Sequence, residues 1–133
     1  MSPDERLPAT PISICASAAL AEGGDGIRFP VMTPDGATTG FVVRYQGTVR
    51  GYLNRCAHAG IELDWEPGRF FDRSGLYLMC ATHGAVYAPD SGRCTGGPCR
   101  GQGLRIIVTE ERDDTIFWLP DRHVFPLGHP GPQ

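Results

Sequence analysis

Glycine and proline interrupt this chain so often that no long helix can be written through it. Eighteen glycines and twelve prolines are spread over 133 residues. Each proline removes a backbone donor, and each glycine frees the backbone for turns. Stretches of Ala, Leu, Glu and Lys at helical spacing are few, so the punctuation favours a turn-rich, all-β architecture over a helix bundle. The length suits one domain with one modest core.

Between the interruptions lie short β-rich runs. Residues 1–10 are polar, contain Pro3 and Pro8, and read as a flexible arm. Residues 12–21 (ISICASAALA) read as a first strand and a short turn. A strand over 26–33 is closed by a turn at Pro34, Asp35 and Gly36. Residues 40–54 form a hairpin that pivots on Gln46 and Gly47. The stretch 55–75 is irregular, then short strands fall at 75–80 and 85–88, the latter ended by a turn at Pro89 to Gly92. Residues 92–103 read as a loop. A final hairpin pairs 104–110 with 115–119, and Leu104, Ile106 and Val108 share a face of its first arm. The resulting division is an arm at 1–10, a domain at 11–119 with a loop-rich insertion at about 55–101, and an extended, proline-rich tail at 120–133.

Charge and hydropathy exclude some roles. The formal net charge is −3 and the basic residues are scattered singly, so nucleic acid is not expected as a partner. No apolar segment approaches the roughly 20 residues of a membrane span. The run at 12–21 resembles a signal core, but Asp4 and Glu5 outweigh Arg6 where positive charge is needed. Five cysteines without a secretory signal favour metal or redox chemistry over a disulfide framework, and with it a cytoplasmic location.

Chemistry concentrates in two short runs, CAHAG at 56–60 and CATHG at 80–84. Each holds one cysteine and one histidine: Cys56 with His58, and Cys80 with His83. Four such ligands can hold a zinc ion or an iron–sulfur cluster. A single residue between Cys56 and His58 is tighter than the usual zinc knuckle and strains a tetrahedral site. Two irons relax that demand, because each loop can then give its cysteine to one metal and its histidine to the other.

The pair of runs resembles the C-x-H and C-x-x-H signature of Rieske [2Fe–2S] proteins, and GGPC at 96–99 resembles the proline-containing loop that covers the cluster there. The likeness runs from about Ile12 to Leu119 and is strongest to soluble Rieske ferredoxins of ring-hydroxylating dioxygenase systems. It implies three stacked antiparallel sheets and one [2Fe–2S] cluster per chain at the tip of two loops. It further implies that Cys56 and Cys80 hold the inner iron, and His58 and His83 the outer one. With two thiolates and two neutral imidazoles the oxidised site is formally neutral, whereas four thiolates leave it dianionic. Histidine ligation therefore raises the potential and makes it pH-dependent wherever a ligand histidine titrates.

Departures from the quinol-oxidising branch of the family are informative. Ile61 and Thr82 stand where that branch carries an extra disulfide, and Ala85 stands where it directs a serine hydroxyl at a cluster sulfur. Tyr87 keeps the position of a second donor. One donor lost and one kept places the expected potential low in the Rieske range of about −150 to +300 mV.

Other conspicuous residues have plainer readings. Cys94 and Cys99 are read as small buried residues, with pairing or a thiol switch as the alternatives. Cys15 is read as core. Pro98 is expected to shield the cluster, with Gly96 and Gly97 letting backbone approach the sulfurs. Trp65, Phe70 and Phe71 are expected to anchor the insertion, Asp64 and Asp72 to serve turns and caps, and His123 and His129 to be solvated.

These readings imply an electron carrier, not an enzyme with its own substrate site. It would take single electrons from a reductase and pass them to a terminal oxygenase or similar oxidoreductase. After Leu119 only fourteen residues remain, too few for the non-haem iron domain of an oxygenase subunit. The alternatives are a small Rieske subunit of a larger, nitrite-reductase-like enzyme, and a redox or iron sensor.

Overall fold

The structure, a computed structural model, describes residues 11–56, 62–64, 66–81, 84–97 and 102–128. Among the described residues ten strands run in chain order: β1 (Ile12–Ala16), β2 (Ile27–Thr33), β3 (Gly36–Tyr45), β4 (Thr48–Leu53), β5 (Leu78–Met79), β6 (Val86–Tyr87), β7 (Cys94–Gly96), β8 (Ile106–Ile107), β9 (Thr109–Arg112) and β10 (Thr115–Trp118). They form three antiparallel sheets, ordered β1-β10-β9, β2-β3-β4-β8 and β5-β6-β7. The expected all-β class and antiparallel sheets are what the chain adopts.

The four-stranded sheet is the middle layer, and its sequence shows why. In β3 the successive residues Phe41, Val42 and Val43 are all fully buried, although neighbouring side chains on a strand point to opposite faces. Such an unbroken apolar run belongs to a sheet covered on both sides. Phe41, Val43 and Tyr52 face one core cluster, shared with Cys56, Phe70, Cys80 and Tyr87. Val42, Val49 and Leu53 face the other, shared with Ile116 and Trp118 of β10. The middle sheet thus separates a base from a ligand-bearing layer.

The β3–β4 hairpin turns where expected. Gln46 and Gly47 take φ of 51° and 76°, the left-handed conformations that a two-residue hairpin turn needs. Glu22 fixes the turn by accepting from the backbone N–H of both residues, each at 2.7 Å.

Four readings are corrected. The stretch 92–103 is not all loop, because Cys94–Gly96 pairs with β6 as β7. The run 75–80 contributes only Leu78–Met79 as strand, while Leu76 and Tyr77 are exposed. Residues 104–110 do not form one alternating arm: Ile107 is buried and Ile106 is 57% exposed. The chain there changes sheets, from β8 on the middle sheet to β9 on the base, so one period cannot span it. The tail is also packed at its start, since Val124 and Phe125 are buried and Phe125 exchanges backbone hydrogen bonds with Met32 at 2.7 and 2.9 Å.

Candidate metal centre

Cys56 lies just past the end of β4, after Asn54 and Arg55, and Cys80 directly follows β5. Both are buried, and both belong to the core cluster of Leu63, Phe70, Ala85 and Tyr87. Two residues far apart in sequence are therefore brought to one site. His58 and His83, the other members of the pairs, lie outside the described residues, as do Ile61, Thr82, Pro98, Cys99 and His129. Among the described residues no group of three or more His, Cys, Asp or Glu side chains gathers to hold a metal.

Buried polar groups fix the loop after Cys56. Asn54, 1% exposed, donates through Nδ2 to Asp64 Oδ1 at 2.9 Å and to Thr39 Oγ1 at 3.1 Å. Its Oδ1 accepts from the Leu63 backbone N–H at 2.9 Å. Asp64 Oδ2 accepts from the Gly68 N–H at 2.9 Å, with the Arg28 guanidinium 3.5 Å away. Arg28 and Thr39 both donate to Glu62 Oε2, at 2.7 and 2.8 Å. Residues 62–64 and 68 are thus held through Arg28 and Thr39 of the middle sheet and through Asn54. Buried polar groups are stable only when satisfied in this way.

Backbone bonds and one aromatic stack hold the second loop. Cys80 N–H donates to Ala85 O and Gly84 N–H to Cys80 O, both at 2.8 Å. Ala81 N–H donates to Leu63 O at 3.0 Å, joining the two loops. The fully buried Phe70 lies flat on Phe41, with centroids 3.8 Å apart and planes 8° from parallel. Phe70 and Phe71 are anchors, as expected; Trp65 lies outside the described residues.

The Tyr87 hydroxyl lies 3.3 Å from Cys56 Sγ. Toward a thiolate the phenol is the donor, and a hydrogen bond to a ligand sulfur stabilises negative charge there. Ala85 is fully buried and offers no hydroxyl. Donor chemistry at Cys56 and Cys80 therefore fits one iron of a sulfide-bridged pair: two buried sulfur ligands, one backed by a phenol, on loops tied to each other.

Sequence reasoning also placed some residues incompletely. Asn54 was missed as the hub of the first loop, because a lone asparagine ending a strand reads as a turn residue. Asp64 is more than a turn residue, since its carboxylate is enclosed in that hub, whereas Asp72 serves a local turn, accepting from Ser74 N–H and Oγ at 3.1 and 2.6 Å. Gly97, with φ of 81°, lies against the backbone after Cys80: a Cβ there would sit 2.8 Å from Gly84 O. Nothing lies within 4 Å of a Cβ at Gly96. Cys15 is half-buried at the edge of the base core, and burial raises its thiol pKa. His123 is exposed, as expected.

Cys94 corrects a further reading. It is disulfide-bonded and half-buried, not a small core residue. The requirement for an electropositive setting applies to a reactive thiolate. It has no bearing on a cysteine whose sulfur is already bonded.

A family model, described as Rieske [2Fe-2S] domain, matches residues 11–116. The chain belongs to the Rieske [2Fe–2S] family. Solved structures agree on the fold. The ferredoxin of carbazole 1,9a-dioxygenase from Nocardioides aromaticivorans IC177 is 23% identical with a TM-score of 0.65, covering 84% of this chain and 98% of its own. The terminal oxygenase from the same organism is 21% identical with a TM-score of 0.61, covering 92% of this chain but 31% of its own. That from Novosphingobium sp. KA1 is 22% identical at a TM-score of 0.61, covering 84% of this chain and 29% of its own. No curated protein matches the sequence. No helix among the described residues is long and apolar enough to cross a membrane.

Proposed function

We propose that this protein is a one-electron carrier that passes electrons from a reductase to a terminal oxygenase or a similar oxidoreductase, without a substrate-converting site of its own. The observation that carries the reading is the pair of buried cysteines on tied loops, with a phenol on one sulfur, in a chain of the Rieske family. Membership of the Rieske family and a ferredoxin-like fold support the carrier reading.

Cys56 and Cys80 would hold one iron, His58 and His83 the other, with one [2Fe–2S] cluster per chain. When bound, the cluster supplies reversible one-electron redox chemistry. The chain supplies the rest. Burial of Cys56 and Cys80 excludes water from the sulfur side. Tyr87 offsets negative charge at Cys56 Sγ, and Asn54 and Asp64 keep the first loop in place. We place the protein in the cytoplasm with soluble redox partners.

Purified protein should contain equal iron and acid-labile sulfide and, once reduced, give the electron paramagnetic resonance signal of a histidine-ligated cluster. Zinc without iron would refute the assignment. Replacing one neutral imidazole by a thiolate, in His83→Cys, should lower the midpoint potential. An unchanged potential would show that ligand charge does not set it.

A further inference from the structure

All twelve basic residues of this chain are arginines, and three of them converge beside Cys56. Arg55, Arg93 and Arg105 line an open groove of about 870 Å³ whose wall also includes Asp35, Cys56 and Ile106. Three guanidinium groups against one carboxylate make the groove positive on a chain of net charge −3. The acidic residues Glu110, Glu111, Asp113 and Asp114 lie on the β9–β10 hairpin of the base. The groove is thus a local positive patch, while the β9–β10 hairpin carries these four acidic residues beside Arg112.

These arginines are presented outward. Among the described residues, Arg93 and Arg105 make no ion pair, and both are exposed. Arg55 meets only Asp35, at a loose 3.7 Å with the carboxylate 82% exposed. Surface pairs of that kind contribute little, so Arg55 also remains open to a new partner. Guanidinium forks match carboxylates in a bidentate geometry.

An apolar anchor sits among them. Ile106 is 57% exposed on β8, the two-residue edge strand of the middle sheet. An exposed aliphatic side chain ringed by arginines has the make-up of a protein interface, where arginine is enriched and apolar residues form the dry centre. A cavity of about 140 Å³ that shares Arg55 and Arg105 extends the surface toward His123.

We propose that this arginine groove is the docking surface for an acidic redox partner protein, whose carboxylates take Arg55, Arg93 and Arg105 and whose apolar contact covers Ile106. The inference rests on the electron-carrier reading, because its value is to bring the partner against the wall that contains Cys56. A local positive patch on a chain of net charge −3 also orients the encounter, since a partner's negative surface is drawn to the groove more than to the acidic β9–β10 hairpin.

The test uses the purified holoprotein and gold electrodes bearing either carboxylate- or amine-terminated monolayers. Adsorbed mass is read with a quartz microbalance and electron transfer by voltammetry. The wild type should adsorb to the carboxylate surface despite its net negative charge, release with salt, and give a direct current. The exposed double variant R93E/R105E should lose about tenfold or more of that adsorption and move to the amine surface, with iron content unchanged. Equal adsorption of variant and wild type on the carboxylate surface overturns the proposal, as does a wild-type preference for the amine surface. Release of the wild type by duplex DNA, but not by polyglutamate, reassigns the groove to nucleic acid and also overturns it. Adsorption without current leaves the groove standing and sinks the carrier reading instead, so the two fail separately.

Discussion

The two faces of the middle sheet are covered by layers built in different ways. On the base side, β1, β9 and β10 are strands of four to five residues over a largely aliphatic core of Ile116, Val42, Val31 and Leu53 that also holds the Phe29–Trp118 ring pair. On the ligand side, β5, β6 and β7 have two, two and three residues. That layer depends instead on one aromatic stack and a buried polar hub. Short strands expose much backbone and open at low cost, so the ligand layer needs specific side chains where the base needs only pattern. A site that must hold a metal group at loop tips gains from this arrangement, because each named contact positions a loop and not merely a core.

The largest effect expected from that contrast is at Phe70. Phe70→Ala removes a fully buried ring stacked on Phe41 and leaves a cavity under both ligand loops. A loss of about 3–5 kcal/mol is expected. Native-state hydrogen exchange should show amides of β5 and β6 opening, including Met79 N–H, which donates to Phe70 O at 2.9 Å. The β2–β3 amides should keep most of their protection. Parallel loss in both layers would show that they form one cooperative unit and end the comparison.

Asn54→Ala sharpens it at lower energy. The change strands the Leu63 N–H and takes one donor from the Asp64 carboxylate, both in a buried setting. A cost of about 1–3 kcal/mol follows for groups left without partners. Cluster absorbance should be lost at a lower urea concentration than in the wild type, ahead of the far-ultraviolet signal of the base. Coincident transitions at the wild-type midpoint would mean that the hub does not support the first loop.

The same contrast explains what the sequence revealed. The base and the hairpin were legible because turn residues such as Gln46 and Gly47 and runs such as Phe41–Val43 report local geometry directly. Cys56 and Cys80 stood out in the sequence because their spacing to histidine is unusual, and the fold buries both in one cluster. The hub of Asn54 and Asp64, ten residues apart, was not, since it arises only when the loop folds back onto β3 and β4. Ile106 and Ile107 defeated the alternation for a related reason: the strand leaves one sheet for another between β8 and β9, and periodicity carries no signal of that exchange. The disulfide at Cys94 likewise depends on tertiary placement that the sequence pattern does not report.

The smallest effect lies between the middle sheet and the base. Arg44 on β3 donates to both carboxylate oxygens of Glu111 on β9, at 3.1 and 2.7 Å. Hydrogen bonding from Arg44 holds the Glu111 carboxyl below its usual range. A folded value below the unfolded one means that folding favours the ionised form. The stabilisation is therefore fully present above the unfolded value, about 4.3 for glutamate, and is lost as pH falls through the lower folded value. The Glu111 side chain is 32% exposed, so solvent screening limits the pair to about 1 kcal/mol or less. Glu111→Gln should lower the urea midpoint slightly at pH 7 and leave it unchanged once the pH lies below the folded value. Because the bond joins the middle sheet to the base, its removal should shift the exchange of β1, β9 and β10 and spare the ligand loops. A response concentrated in the loops instead would mean that the base braces the site through the middle sheet, and the two layers would then have to be treated as coupled.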